Sequence, residues 1–236
     1  MDPGIYGPRG GPGSSWPPLS RRATLLVVAV VIVVIAGISI VVLTNSGNEQ
    51  KPDVTQLEQS MLVDPSSFPV IDGANWIGPE VKTGGNISSV SGSKVKPPEC
   101  VAFFEGPHST QVGRMSLQSK GSAFGMTIGL TAERPDYQSL VSACRTVRTA
   151  DEQQYAIEQR HLSGLPAWSI TTLRTHGGDW LLSTVGFHRG VFLWATCSQT
   201  QGEDAPKGFG LGAPDEQDNL ALVKLFNDQV AKLDAV

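Results

Sequence analysis

From Ala23 to Leu43 the chain runs for twenty-one residues without a charge, fifteen of them Leu, Ile or Val, directly behind Arg21-Arg22. As one helix this run is about 31 Å long, close to the ~30 Å of bilayer hydrocarbon. Each Leu, Ile or Val contributes roughly −0.3 to −0.6 kcal/mol to insertion, which outweighs Gly37 and Ser39. The run reads as a single transmembrane helix, with the lipid bilayer as its partner. Arg9, Arg21 and Arg22 precede it against Asp2 alone, and no Lys or Arg follows until Lys51. Positive-inside bias then puts the N-terminus in the cytoplasm and the rest outside the cell membrane. The rival reading is a cleaved leader, whose apolar core is usually about 7–15 residues and ends at a small-residue cleavage site. This core is longer and leaves through Ile40-Val41-Val42-Leu43-Thr44-Asn45. No cysteine follows it to carry a lipoprotein anchor, so an uncleaved signal anchor is expected.

The span divides the chain. Residues 1–22 are a Gly/Pro-rich tail that cannot bury a core and is expected to be disordered and cytoplasmic. Within it, Trp16-Pro17-Pro18 fits a polyproline ligand less well than a solvated spacer. Residues 44–52 form a polar linker, and 53–236 an outer domain long enough for one sizeable core. Net charge is −4 over 236 residues, and the tail holds three of the arginines. The outer part is therefore acidic, which argues against a nucleic-acid partner. Its cysteines, Cys100, Cys144 and Cys197, all lie beyond the span, where disulfides persist. Three allow one pair and one thiol left over. No C-x-x-C spacing or histidine pair suggests a metal.

Along the outer part, Asp53 to Val63 reads as a short helix capped by Asp53, with Val54, Leu57, Met61 and Leu62 on one face. Ser66 to Pro98 is rich in Ser, Gly and Pro and reads as irregular. Glu99 to Phe104, Val112 to Gln118 and Phe124 to Thr131 are strand-like. A helix is expected from Pro135 to about Arg148, where Tyr137, Leu140, Val141, Cys144 and Val147 form one stripe. Four strands follow, Tyr155–Leu162, Ala167–Thr175, Trp180–His188 and Val191–Cys197. The turns Ser163-Gly164, His176-Gly177-Gly178-Asp179 and Arg189-Gly190 separate them, which implies an antiparallel meander with one buried face. A final helix capped by Asp215 carries Leu220, Val223, Phe226, Val230 and Leu233 on its apolar stripe. The fold class expected is α+β: a curved antiparallel sheet packed by at least two helices.

Chemistry is sparse. No phosphate loop, G-x-S-x-G elbow or H-E-x-x-H occurs. His108, His161, His176 and His188 are scattered, and neither Glu99 with Glu105 nor Asp151-Glu152 forms an acid/base pair. No catalytic residue, metal ligand or cofactor is assigned. Asn86-Ile87-Ser88 fits a glycosylation sequon that matters only in a eukaryotic secretory pathway. Trp168, Trp180 and Trp194 fall on strands as core or edge residues. Trp76, in an irregular segment beside Gly78-Pro79, is the one candidate for lining a ligand groove.

The order of Met61-Leu62-Val63-Asp64-Pro65-Ser66-Ser67-Phe68-Pro69, Pro97-Pro98-Glu99-Cys100, Leu140-Val141-Ser142-Ala143-Cys144 and Gly190-Val191-Phe192-Leu193-Trp194-Ala195-Thr196-Cys197 before a C-terminal helix resembles mycobacterial extracytoplasmic sensor-like domains. These include the ectodomain of PknH-type serine/threonine kinases. The resemblance spans about Val54 to Val236. It implies an α+β fold with a cleft for an unknown ligand. Those ectodomains have four cysteines in two bridges, so here it implies Cys100 with Cys144, leaving Cys197, with Cys144–Cys197 as the rival. No kinase glycine loop or catalytic loop precedes the span, so a signal would pass through another protein. The function expected is a non-catalytic, membrane-anchored ligand-binding or sensor-like protein of the cell envelope. The alternative is an interaction or scaffold subunit of an envelope complex; an envelope hydrolase is a distant third.

Overall fold

A computed structural model describes residues 51–85, 94–119, 121–200 and 213–236. Eight strands, β1 (Asn75–Gly85), β2 (Ser109–Ser119), β3 (Ser122–Leu130), β4 (Thr146–Arg148), β5 (Gln154–Arg160), β6 (Ile170–His176), β7 (Asp179–His188) and β8 (Val191–Gln199), form one antiparallel sheet. Their order is β1-β2-β3-β8-β7-β6-β5-β4. Three helices pack on it: α1 (Ala102–Glu105), α2 (Tyr137–Ala143) and α3 (Glu216–Asp234). The α+β class and the β5–β8 meander are as expected. Among the described residues no helix is long and apolar enough to cross a membrane. The apolar run 23–43, the tail before it and linker residues 44–50 lie outside the described residues.

Both faces of the sheet are buried, not one. Successive side chains of a strand point to opposite faces. Along β8, Val191, Leu193, Ala195 and Cys197 join a core with Leu222, Leu225, Phe226 and Leu233 of α3. Phe192 and Trp194 point the other way, into a second core with Phe103 and Phe104 of α1 and Tyr137 and Val141 of α2. A strand covered on both sides loses its polar-apolar alternation, which is why β8 reads as a nearly continuous apolar run.

The helix α3 begins on a capping box: Asp218 N–H donates to Asp215 Oδ1 at 2.9 Å, and Asp215 N–H to Asp218 Oδ2 at 3.1 Å. Its buried residues are Leu222, Leu225, Phe226, Gln229 and Leu233, so the stripe is rotated from the one expected and Leu220 faces outward. The polar Gln229 hid this register. Its side chain accepts from Val63 N–H at 3.1 Å and donates to Met61 O at 2.7 Å.

The same bonds explain why Asp53–Val63 is not a helix. Only Gln59–Met61 makes a 3-10 turn. Elsewhere its amides find distant partners: Val54 N–H bonds Arg189 O and Leu57 N–H bonds Gln111 Oε1. An isolated stretch of this length is a marginal helix, so tertiary bonds win.

Ser66–Pro98 is not wholly irregular, because β1 runs through it. This strand is at the sheet edge, where Pro79 breaks no ladder. Its register slips between Ile77 and Glu80, at Gly78. A Cβ at Gly78 would fall 2.5 Å from Arg114 O, so only glycine admits the close approach. Glu99–Phe104 is not a strand either: Pro98–Val101 forms a 3-10 turn that leads into α1, and Ala102, Phe103 and Phe104 are buried in succession. The helix expected to Arg148 stops at Ala143. Val147 belongs to β4, whose Arg148 exchanges backbone bonds with Lys96. Trp168 lies off the strands: its ring covers Gly186, stacks on His188 at 5.6 Å and touches Phe226.

Candidate functional site

The segment Ser67–Ile71, the start of β3 and the first two turns of α3 enclose an open groove of about 520 Å³. Phe68, Ile71, Phe124 and Ala221 are among its apolar lining, with Val70 and Leu220 beside them. The 3-10 turn Pro65–Ser67 places Phe68, whose ring is buried. Gln217, Leu220, Ala221 and Lys224 recur at helical spacing and so present one side of α3 to the groove. Its size is that of a small-molecule site, mostly apolar with a few polar groups.

Val70 is 97% exposed, Leu220 56% and Trp76 44%. Trp76 does not line the groove. It stands edge-on to Phe68, at 5.1 Å between ring centres, one ring behind the lining. Three of the six large hydrophobics exposed among the described residues thus gather at this place. Trp76 could be suspected from the sequence as an aromatic in an irregular segment. Val70 and Leu220 carried no such signal: an exposed aliphatic is recognised only once the buried register is known.

Two of the polar groups, Lys224 and Asp218, are internally occupied. Lys224 Nζ donates to Ser66 O at 3.1 Å and pairs with Asp228 at 2.6 Å. The Asp218 carboxylate also accepts from the buried Cys197 thiol, 3.7 Å away. Burial raises both groups above their ordinary ranges. Because the folded state favours the protonated Asp218, stability falls as pH rises through the window just above 3.8. Asp136 and Asp151, held low by Ser139 and Thr149, act in the opposite sense. Asp218→Asn is therefore expected to remove a loss of stability on raising pH through that window, measured as the difference from wild type in urea unfolding. An unchanged pH profile would contradict this.

Cys100 is bonded to Cys144 with a Cα–Cα distance of 5.6 Å, and Cys197 is free and buried. The Cys144–Cys197 rival is thereby set aside. The bridge lies on the face opposite α3, tying the turn before α1 to the end of α2. The histidines do not converge: His188 Nε2 meets Asp234 Oδ1 at 2.7 Å, while His176 Nδ1 lies 2.9 Å from Gln154 O. Among the described residues no group of three or more His, Cys, Asp or Glu could hold a metal ion.

No family model and no curated protein matches the chain. Among solved structures it is similar to an uncharacterised Mycobacterium smegmatis protein, the Rv0999 ortholog. That match is 15% identical with a TM-score of 0.41, and covers 72% of this chain and 92% of the other. It is also similar to the extracellular domain of PknH from Mycobacterium tuberculosis, the kind of ectodomain that its motif order resembles. Here identity is 12% and the TM-score 0.49, over 79% of this chain and 99% of that one.

Proposed function

We propose that this chain is a single-pass, membrane-anchored protein whose disulfide-braced outer domain binds a small apolar or amphiphilic ligand of the cell envelope, without catalysis. The observation that carries the reading is the groove beside α3, with Val70, Leu220 and Trp76 exposed around a concave apolar surface. Exposed apolar residues that surround a concavity fit a ligand better than a flat scaffold patch does. The anchor rests on the uncharged run behind Arg21-Arg22, and the location outside the membrane on that charge bias and on the disulfide.

The fluorescent fatty acid cis-parinaric acid tests the groove. Saturable binding to the full chain is expected, and Ala221→Trp should abolish it by filling the groove while leaving the melting temperature within a few degrees of wild type. Binding that survives this substitution sinks the assignment. Protease shaving of intact cells tests the anchor independently; an outer domain that stays protected until lysis would overturn the topology.

A further inference from the structure

The two edges of the sheet are finished differently. At one end β4 has 3 residues, and its Arg148 exchanges backbone bonds with Lys96, so that edge is short and partly covered. At the other end β1 runs for 11 residues, and among the described residues no backbone group pairs with its outer side. Two exposed hydrophobics, Trp76 and Ile77, lie on it. A long open edge is a template for another strand.

The hydrogen-bond ladder decides which groups this edge offers. Thr200 N–H donates to Gly121 O, so these opposed residues are a bonded pair, and in an antiparallel ladder every second pair is bonded. Carried through β3 and β2, that alternation turns the amides of Glu80 and Lys82 toward β2 and those of Val81 and Thr83 outward. Pro79 offers only its carbonyl on the outer side. Its ring and the register slip at Gly78 guard the first part of the strand, whereas from Glu80 to Gly85 the register with β2 is regular.

Charge then selects the occupant. Glu80 and Lys82 bond at 2.8 Å on one face of β1, with their side chains 37% and 66% exposed. A lone lysine on an edge repels a second copy, but an acid and a base two residues apart are their own complement. When two β1 strands meet antiparallel about a twofold axis at Val81, Glu80 of each copy faces Lys82 of the other. Moving the axis to Glu80 or to Lys82 sets like charges directly opposite, which is unfavourable. In the favoured register the two Val81 residues exchange backbone bonds, and Thr83 N–H of each copy donates to Pro79 O of the other. Each charge keeps the partner on its own strand and gains one across the axis.

We propose that β1 is the docking edge for a second copy of this chain, giving a weak antiparallel dimer with one sheet continuous through both. The inference does not depend on the groove. Sedimentation of the full chain in detergent tests it, at up to about 0.3 mM because an edge contact is small. Wild type should show a monomer–dimer equilibrium. Glu80→Lys and Lys82→Glu each set like charges opposite across the axis and should weaken the dimer about tenfold. Melting temperatures should stay near wild type, because both side chains are at the surface. Mixing the two variants restores opposite charges across the axis and should return dimers of wild-type strength, which damage to the fold could not do. Wild type that stays monomeric, dimers that persist undiminished in both variants, or a mixture no tighter than either variant alone overturns the proposal.

Discussion

Replacing Cys144 by serine is expected to destabilise the outer domain by about 4 kcal/mol, because the bridge to Cys100 closes a loop with a sequence separation of 44. Against a typical net stability of roughly 5–15 kcal/mol, this is a large share. For a domain of this size it corresponds to a fall of roughly 8–16 °C in melting temperature. Both sulfurs are fully buried between α1, α2 and the sheet, so the variant also leaves a solvent-excluded thiol and hydroxyl where a bond had been. His176→Ala is the control. That ring is half-buried, bonds one backbone oxygen and leans on Tyr155, so its loss should stay within about 1 kcal/mol. Equal melting temperatures for the two variants would reject the bridge as the brace of this domain.

Phe226→Ala should be comparably severe, at about 3–5 kcal/mol, through lost burial and the cavity left between α3 and the sheet. Phe226 is fully buried and its ring meets Trp168 at 5.6 Å. Trp168 is held over Gly186 from one side and by Phe226 from another, so its fluorescence should shift to the red as the indole loses that neighbour. Leu220→Ala, on the same helix, removes an exposed side chain and is expected to change stability by less than about 0.5 kcal/mol. Leu220 separates the two registers of α3, because Phe226 is buried in both. A loss at Leu220 as large as that at Phe226 would mean that the helix is rotated toward the stripe that includes Leu220.

Spacing alone places Phe226 and Leu233 on the buried stripe of α3, and Leu220 with them. The deciding residue is Gln229, polar in the sequence and buried in the fold because Met61 O and Val63 N–H satisfy it. A burial rule based on side-chain polarity cannot anticipate a partner more than 160 residues away. The same holds for Asp53–Val63, whose helical spacing was real but whose amides are claimed by Arg189, Gln111 and Gln229. It holds again for β1, whose Gly78-Pro79 step looks like a loop until β2 supplies the ladder.

The groove was less legible than the fold. The sequence marks Trp76 as an aromatic in an irregular segment, and it stands behind Phe68 rather than in the lining. The lining is assembled from the turn after Pro65, one end of β3 and one side of α3, which are far apart in the chain. No local pattern links them.

Local features of the sequence determined the α+β class, the β5–β8 meander and the capped final helix, because turn residues, short connections and capping chemistry act over a few neighbours. Tertiary structure decided the second buried face, the edge strand, the register of α3, the choice of Cys100 over Cys197 as partner of Cys144, and both candidate binding surfaces. Each of these depends on which distant group satisfies a buried amide or covers an apolar face. That information exists only when the strands are side by side.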